Sequence, residues 1–164
     1  LAQCAASTHL KEKNMINKNY TQMLKGSLLA AAVVLSACAM SSPKTNSADF
    51  KATLSGSAEV PPNGSPGKGT LEAKLDKDTK VLSWTLTYSD LTGPATAAHF
   101  HGPAMPGENA GVVVPFASAA SPIKGQTTLT DAQMADLLAG RWYANVHTAA
   151  NKGGEIRGQV TTGM

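Results

Sequence analysis

Cysteine is nearly absent. The chain has two in 164 residues, Cys4 and Cys38. Beyond Cys38 there is no thiol, so the body of the chain has no disulfide, no thiolate nucleophile and no cysteine metal ligand. No apolar run reaches the roughly 20 residues that a membrane-spanning helix needs. Charge of neither sign gathers into a stripe, and no Lys/Arg run is interleaved with aromatics, which argues against a nucleic-acid partner. The formal charge of +3 belongs to the front of the chain. Four basic residues (Lys11, Lys13, Lys18, Lys25) and one acidic (Glu12) precede Cys38, and the remainder balances at ten against ten. There is no phosphate-binding loop, dinucleotide fingerprint, internal repeat or nucleophile elbow, and no local Ser/His/acid grouping. No motif suggests the paired carboxylates of glycoside chemistry.

What the front does contain is an export pattern. Lys18 and Lys25 flank the short apolar run Leu28-Leu29-Ala30-Ala31-Ala32-Val33-Val34-Leu35, which ends in Leu35-Ser36-Ala37-Cys38. This ending resembles a bacterial lipobox, in which the cysteine is lipidated and becomes the new N-terminus. Residues 1–37 therefore read as an upstream extension plus a lipoprotein signal peptide. Met15 is the expected start, with Met23 the alternative. Residues 38–49 are small and polar, too poor in apolar surface to offset the entropy of ordering, and read as a flexible tether. The expected location is the cell envelope, with the membrane as a partner through lipid on Cys38. Ala39 in place of the aspartate that marks inner-membrane retention in enteric-type systems points to the outer membrane, facing the periplasm or the cell surface.

From Phe50 the apolar residues alternate with polar ones, the period of a half-buried strand. Phe50, Ala52 and Leu54 open the pattern. Leu71, Ala73 and Leu75 follow, then Leu82, Trp84, Leu86 and Tyr88, then Val112, Val114 and Phe116. Trp142, Ala144 and Val146 and then Ile156, Gly158 and Val160 close it. One segment departs from this rhythm. Thr130 with Gln133 forms a capping-box pattern, Met134, Leu137 and Leu138 follow at helical spacing as a core stripe, and Gly140 is a stop, which predicts a short helix at 131–139. Arg141 is placed to complement the helix dipole. Short strands between Gly/Pro turns predict an all-β sandwich or barrel carrying one short helix.

The chemistry lies in three histidines. His99 and His101 are separated by one residue, so on an extended strand they project from one face. If Phe100 and the face of Trp142, Ala144 and Val146 point to the core, then His99, His101 and His147 all point outward. They meet if their two strands are neighbours, with the loop at 102–109 as a cover. Imidazole nitrogens suit copper and zinc, and three histidines leave an open coordination position. Asn145, Glu155 or Glu108 is placed to orient a ring through its second nitrogen, and Met105 offers a soft axial donor. Glu155 and Arg157 share a strand face, either as a ligand-orienting and anion-guiding pair or as a salt bridge on a solvated face, the second being preferred. Tyr143 is expected to be partly exposed.

The segments Ala98-His99-Phe100-His101-Gly102-Pro103-Ala104, Gly140-Arg141-Trp142-Tyr143-Ala144-Asn145-Val146-His147-Thr148 and Gly153-Gly154-Glu155-Ile156-Arg157-Gly158-Gln159-Val160 together resemble the CHRD domain. Phe50 to Gly56 and Glu59-Val60-Pro61-Pro62 fit its start, so the resemblance covers 50–161. It implies an immunoglobulin-like or Greek-key β-fold and an extracellular binding module, and no catalytic residues. A weaker similarity, to copper/zinc superoxide dismutases, rests on His99, His101, His147 and Arg157. It implies a copper site with an arginine guide, but the bridging histidine, zinc loop and disulfide of that family are missing. The functional expectation is an envelope binding module that holds copper or zinc. The alternatives are a copper-dependent redox enzyme acting on superoxide and a purely structural or protein-interaction module with an envelope or extracellular protein as partner.

Overall fold

Alternating burial organises the chain. In Lys68–Asp76 (β2) every second residue, Gly69, Leu71, Ala73 and Leu75, is buried and those between are exposed. Ser47–Ser55 (β1) buries Phe50, Ala52 and Leu54, and Val81–Ser89 (β3) buries Leu82, Trp84 and Leu86. These strands form an antiparallel meander in which Phe50 stands beside Ala73 and Ala73 beside Trp84. The computed structural model describes residues 46–163. The expected leader, Cys38 and most of the tether lie outside the described residues.

The chain continues through Ala95–His101 (β4), Val112–Pro115 (β5), Ile123–Thr128 (β6), Asp131–Leu138 (α1), Tyr143–Thr148 (β7), Ile156–Gln159 (β8) and the two-residue Thr161–Thr162 (β9). Among the described residues the strands form one antiparallel sheet in the order β5-β4-β7-β8-β1-β2-β3-β6, with β9 beside β1. The all-β expectation holds. The sheet is a single curled half-barrel. β1 pairs with β8 where Ser55 faces Arg157, and its other end pairs with β9 at Phe50 and Lys51. Around this corner the two wings face each other. Trp84 of β3 meets Phe100 of β4 edge-on at 5.3 Å, and Phe116 fills the gap, 5.0 Å from Trp84 and 4.9 Å from Phe100. Such aromatic pairs add about 0.5–1.5 kcal/mol beyond the area they bury.

Four details differ from the sequence expectation. First, β1 begins at Ser47, inside the stretch assigned to the tether. Ser47, Ala48 and Asp49 pair with Asp76, Leu75 and Lys74, so backbone hydrogen bonding carries the strand past its apolar pattern. Second, β6 was not legible as a strand. Its sequence Ile-Lys-Gly-Gln-Thr-Thr has one apolar residue, and it is an edge strand held by pairing with β3. Third, α1 has both hydrogen bonds of the capping box. Gln133 N–H donates to Thr130 Oγ1 at 3.2 Å, and Thr130 N–H donates to the Gln133 side-chain oxygen at 2.9 Å. Leu137 is buried and Met134 packs on the core, but Leu138, one step further around the helix, is exposed. Fourth, Arg141 meets the helix end through Asp136, to whose carbonyl its backbone N–H donates at 3.0 Å. Its guanidinium pairs with the Asp136 carboxylate.

Gly125 explains why an edge strand can lie so close to the core. A β-carbon there would stand 2.3 Å from the Trp84 ring. Gly125→Ala is therefore expected to destabilise the domain by about 1–3 kcal/mol through overpacking, read as a lower urea midpoint at unchanged slope.

Candidate metal centre

β4 and β7 are antiparallel neighbours, with His99 opposite Asn145, His101 opposite Tyr143 and Ala97 opposite His147. Ala98, Phe100, Ala144 and Val146 face the core and are buried. His99, His101, Tyr143, Asn145 and His147 therefore share the outer face, as alternation requires. The strand adjacency on which the histidine reading depended is present. One ligating atom from each of His99, His101 and His147 lies within 4.8 Å of the others. His99 Nδ1 and His147 Nε2 are 3.2 Å apart.

Two of the three rings are fixed by the backbone. His101 Nδ1–H donates to the carbonyl of Ala110 at 3.0 Å, and His147 Nδ1–H donates to the carbonyl of Lys152 at 2.9 Å. Each neutral ring then turns an Nε2 lone pair toward the cluster. A carbonyl on the far nitrogen is the usual way a metal-binding imidazole is oriented. Asn145 Oδ1 lies 3.0 Å from His101 Nε2 and 2.9 Å from His147 Nε2. Of the expected orienting neighbours Asn145 reaches the rings, but at the nitrogens that face the cluster, the second nitrogens being held by the two carbonyls. Glu155 and Glu108 do not. Burial lowers the pKa of His99, and the charges of His147 and His101 lower it further. Burial also lowers that of His101, against the opposing hydrogen bonds to Ala110 and Asn145. Both shifts favour neutral imidazole, the form that binds metal.

Around Tyr143, Asn145 and Arg157 the outer face is not solvated, contrary to the sequence expectation. The loop 102–111 lies across it and is pinned by side chains beneath. Arg157 donates from Nη2 to the carbonyl of Glu108 at 2.6 Å and from Nη1 to Asn109 Oδ1 at 3.0 Å. Gln159 Nε2 donates to the carbonyl of Ala104 at 3.0 Å. The Arg157 guanidinium lies 3.4 Å from the centre of the Tyr143 ring, and Tyr143 stacks parallel to His101 at 4.8 Å. Tyr143, Asn145 and Arg157 are consequently buried. Arg157 is neither a surface salt bridge nor a guanidinium at an open mouth, because it is buried and both of its Nη atoms donate to the loop. Met105 sits on that loop, half exposed. Gly102 permits the turn out of β4, since a β-carbon there would stand 2.6 Å from the Trp142 ring.

Glu155 is likewise buried and unpaired with Arg157. Its carboxylate accepts from Ser65 Oγ at 2.7 Å, the Thr92 N–H at 2.6 Å, Thr92 Oγ1 at 2.8 Å and Thr148 Oγ1 at 2.5 Å. It ties three loops to the end of β7, which places the turn carrying Lys152 against His147. Burial alone would raise its pKa, but hydrogen bonds from Thr148, Ser65 and Thr92 prevail and hold it down at about 2. Sequence reasoning missed Glu59. It is buried beside Asn145, and its Oε1 has no hydrogen-bond partner among the described residues. Burial raises its pKa, against a hydrogen bond at Val60, the charge of Arg157 and a hydrogen bond with Asn145. Only its place in the Glu-Val-Pro-Pro motif marked it, and nothing in the sequence links it to residue 145.

A family model described as CHRD domain matches residues 50–160. No curated protein and no solved structure matched the chain.

The Glu155 carboxylate has a folded-state pKa near 2 against an ordinary 4.5. Its contribution to stability is complete above the ordinary value and is lost as pH falls from there toward 2. Glu155→Ala should cost about 2–4 kcal/mol at neutral pH by leaving buried donors unpaired. The variant should also lose that share of the acid-side decline, as read by urea titrations from pH 7 to 2.

Proposed function

We propose that this chain, which belongs to the CHRD family, is a binding module whose ligand is a transition-metal ion, zinc or copper, held by His99, His101 and His147. The single observation that carries the reading is the convergence of three imidazoles on one covered sheet face, two of them clamped through Nδ1 by backbone carbonyls. Imidazole nitrogen suits both ions, and among divalent ions copper gains most in affinity. The ring orientation is set without the ion, which reduces the ordering that binding must impose. Three protein ligands leave a further position for water or a small ligand. Nothing in the arrangement favours a redox enzyme over a binding module, since Arg157 is committed to the loop.

The leader supports a location. The run Leu28 to Leu35, followed by Leu35-Ser36-Ala37-Cys38, suits lipidation at Cys38, with the stretch that follows as a spacer that holds the module at the cell envelope. Cys38→Ser should shift the protein from the membrane to the soluble fraction while leaving the folded domain intact. Retention in the membrane fraction would refute the anchor.

Isothermal titration with Zn(II) and with Cu(II) tests the site. One ion should bind per chain. His99→Ala, His101→Ala and His147→Ala should each weaken binding by about 100-fold or more, equivalent to roughly 2.7 kcal/mol. Weak binding that is equal in the wild type and all three variants would overturn the reading.

A further inference from the structure

The histidine cluster contains a fourth donor, and the protein goes to some length to aim it. Asn145 Oδ1 stands 3.0 Å from His101 Nε2 and 2.9 Å from His147 Nε2. Both rings have already placed their proton on Nδ1, toward the carbonyls of Ala110 and Lys152. The facing nitrogens therefore carry lone pairs, and so does an amide oxygen. Acceptors at this spacing with no proton between them repel, and a cation removes the conflict. Rotating the amide would present N–H to the rings and remove it too.

Glu59 opposes that rotation. The Asn145 amide nitrogen is on the side of the Glu59 carboxyl, which can only favour a donor there. The two groups share the space over Gly154, where a β-carbon would stand 2.1 Å from Glu59 Oε1 and 2.9 Å from Asn145 Nδ2. Gly154 has φ +135°, a conformation that disfavours other residues. A side chain at 154 would push Glu59 and the amide apart. The glycine, the carboxyl and the amide therefore act together to keep the carbonyl oxygen turned to the rings.

The spacing matches a coordination sphere. With metal–donor bonds of about 2.0–2.2 Å, neighbouring ligand atoms stand about 2.9 Å apart at right angles and about 3.4 Å apart in a tetrahedron. Three of the separations here are 2.9, 3.0 and 3.2 Å, and the ligating atoms of the three histidines lie within 4.8 Å of one another.

Resting on the three-histidine reading, we propose that Asn145 Oδ1 is the fourth ligand of that site, with Glu59 as the residue that positions it. The site is then three imidazole nitrogens and one neutral amide oxygen. This set suits a divalent ion such as Zn(II), Co(II) or Cu(II), and not the softer Cu(I), which favours sulfur.

The test uses the full chain with Zn(II) and with Co(II) as a spectroscopic probe. Asn145→Ala should retain one ion on the three histidines, with zinc affinity lower by about 10–100-fold and a changed Co(II) visible spectrum. Asn145→Asp, which keeps an oxygen donor, should retain a spectrum close to that of the wild type. Glu59→Ala should shift the spectrum partway toward that of Asn145→Ala. Should Asn145→Ala misfold, wild-type NMR decides. The Asn145 side-chain carbonyl carbon should move at one equivalent of zinc while those of Asn63 and Asn151 stay. Unchanged affinity and spectrum in Asn145→Ala, or an unmoved Asn145 carbonyl, overturns the fourth ligand and leaves the histidine site standing. Failure of the wild type to bind removes both.

Discussion

The register between β4 and β7 is the constraint on which the rest of the molecule hangs. His99 stands opposite Asn145, and the histidines share a face only because Phe100 takes the other. Slipping this pair by one residue would turn Phe100 outward and drive both histidines into the core, because side chains alternate with period two. Phe100 makes such a slip costly. Its ring packs 5.3 Å from Trp84, 4.9 Å from Phe116 and 5.6 Å from Trp142. The inner aromatic cluster thus fixes the outer polar one, though no residue belongs to both.

The outer face carries its own cover. Tyr143, Asn145, Glu155 and Arg157 are buried polar groups, which is unfavourable unless they are paired. The loop 102–111 supplies carbonyls to Arg157, Gln159 and His101, and the turn after β7 supplies one to His147. Glu155 holds that turn through Thr148, Thr92 and Ser65. Each imidazole clamp therefore depends on a loop that is itself held by a buried charge. A polar layer built in this way is costly if partly satisfied and rigid if fully satisfied.

Much of this was legible in the sequence where side-chain pattern alone decides. The alternation of Leu71, Ala73 and Leu75 and of Leu82, Trp84 and Leu86 gave strands, and Thr130 with Gln133 gave the helix start. The outward direction of the histidines followed from Phe100 and from Ala144 and Val146. What escaped was whatever depends on partners distant in the chain. β6 is a strand because β3 pairs with it, and Gly125 is small because Trp84 lies over it. Arg157 and Glu155 have the composition of a solvated face, and only the loop from 102 to 111 and the turn hydroxyls show them to be buried. Glu59 is 86 residues from Asn145 in the sequence, and no local spacing relates them.

The three rings do not contribute alike. His101 and His147 each have one nitrogen on a carbonyl, whereas Nε2 of His99 has no hydrogen-bond partner among the described residues. His99 is also partly exposed, and His101 is buried. The ligand atoms span as much as 4.8 Å. Two nitrogens on one ion can stand no further apart than about 4.2 Å, twice a bond of 2.0–2.1 Å. Some ring must move to close the site. The clamped pair would each lose a hydrogen bond to a backbone carbonyl by moving, while His99 would give up only its contact with His147 and is free to change tautomer. The geometry therefore divides the cluster into a rigid floor, formed by His101, His147 and the Asn145 that touches both, and one adjustable wall at the solvent edge.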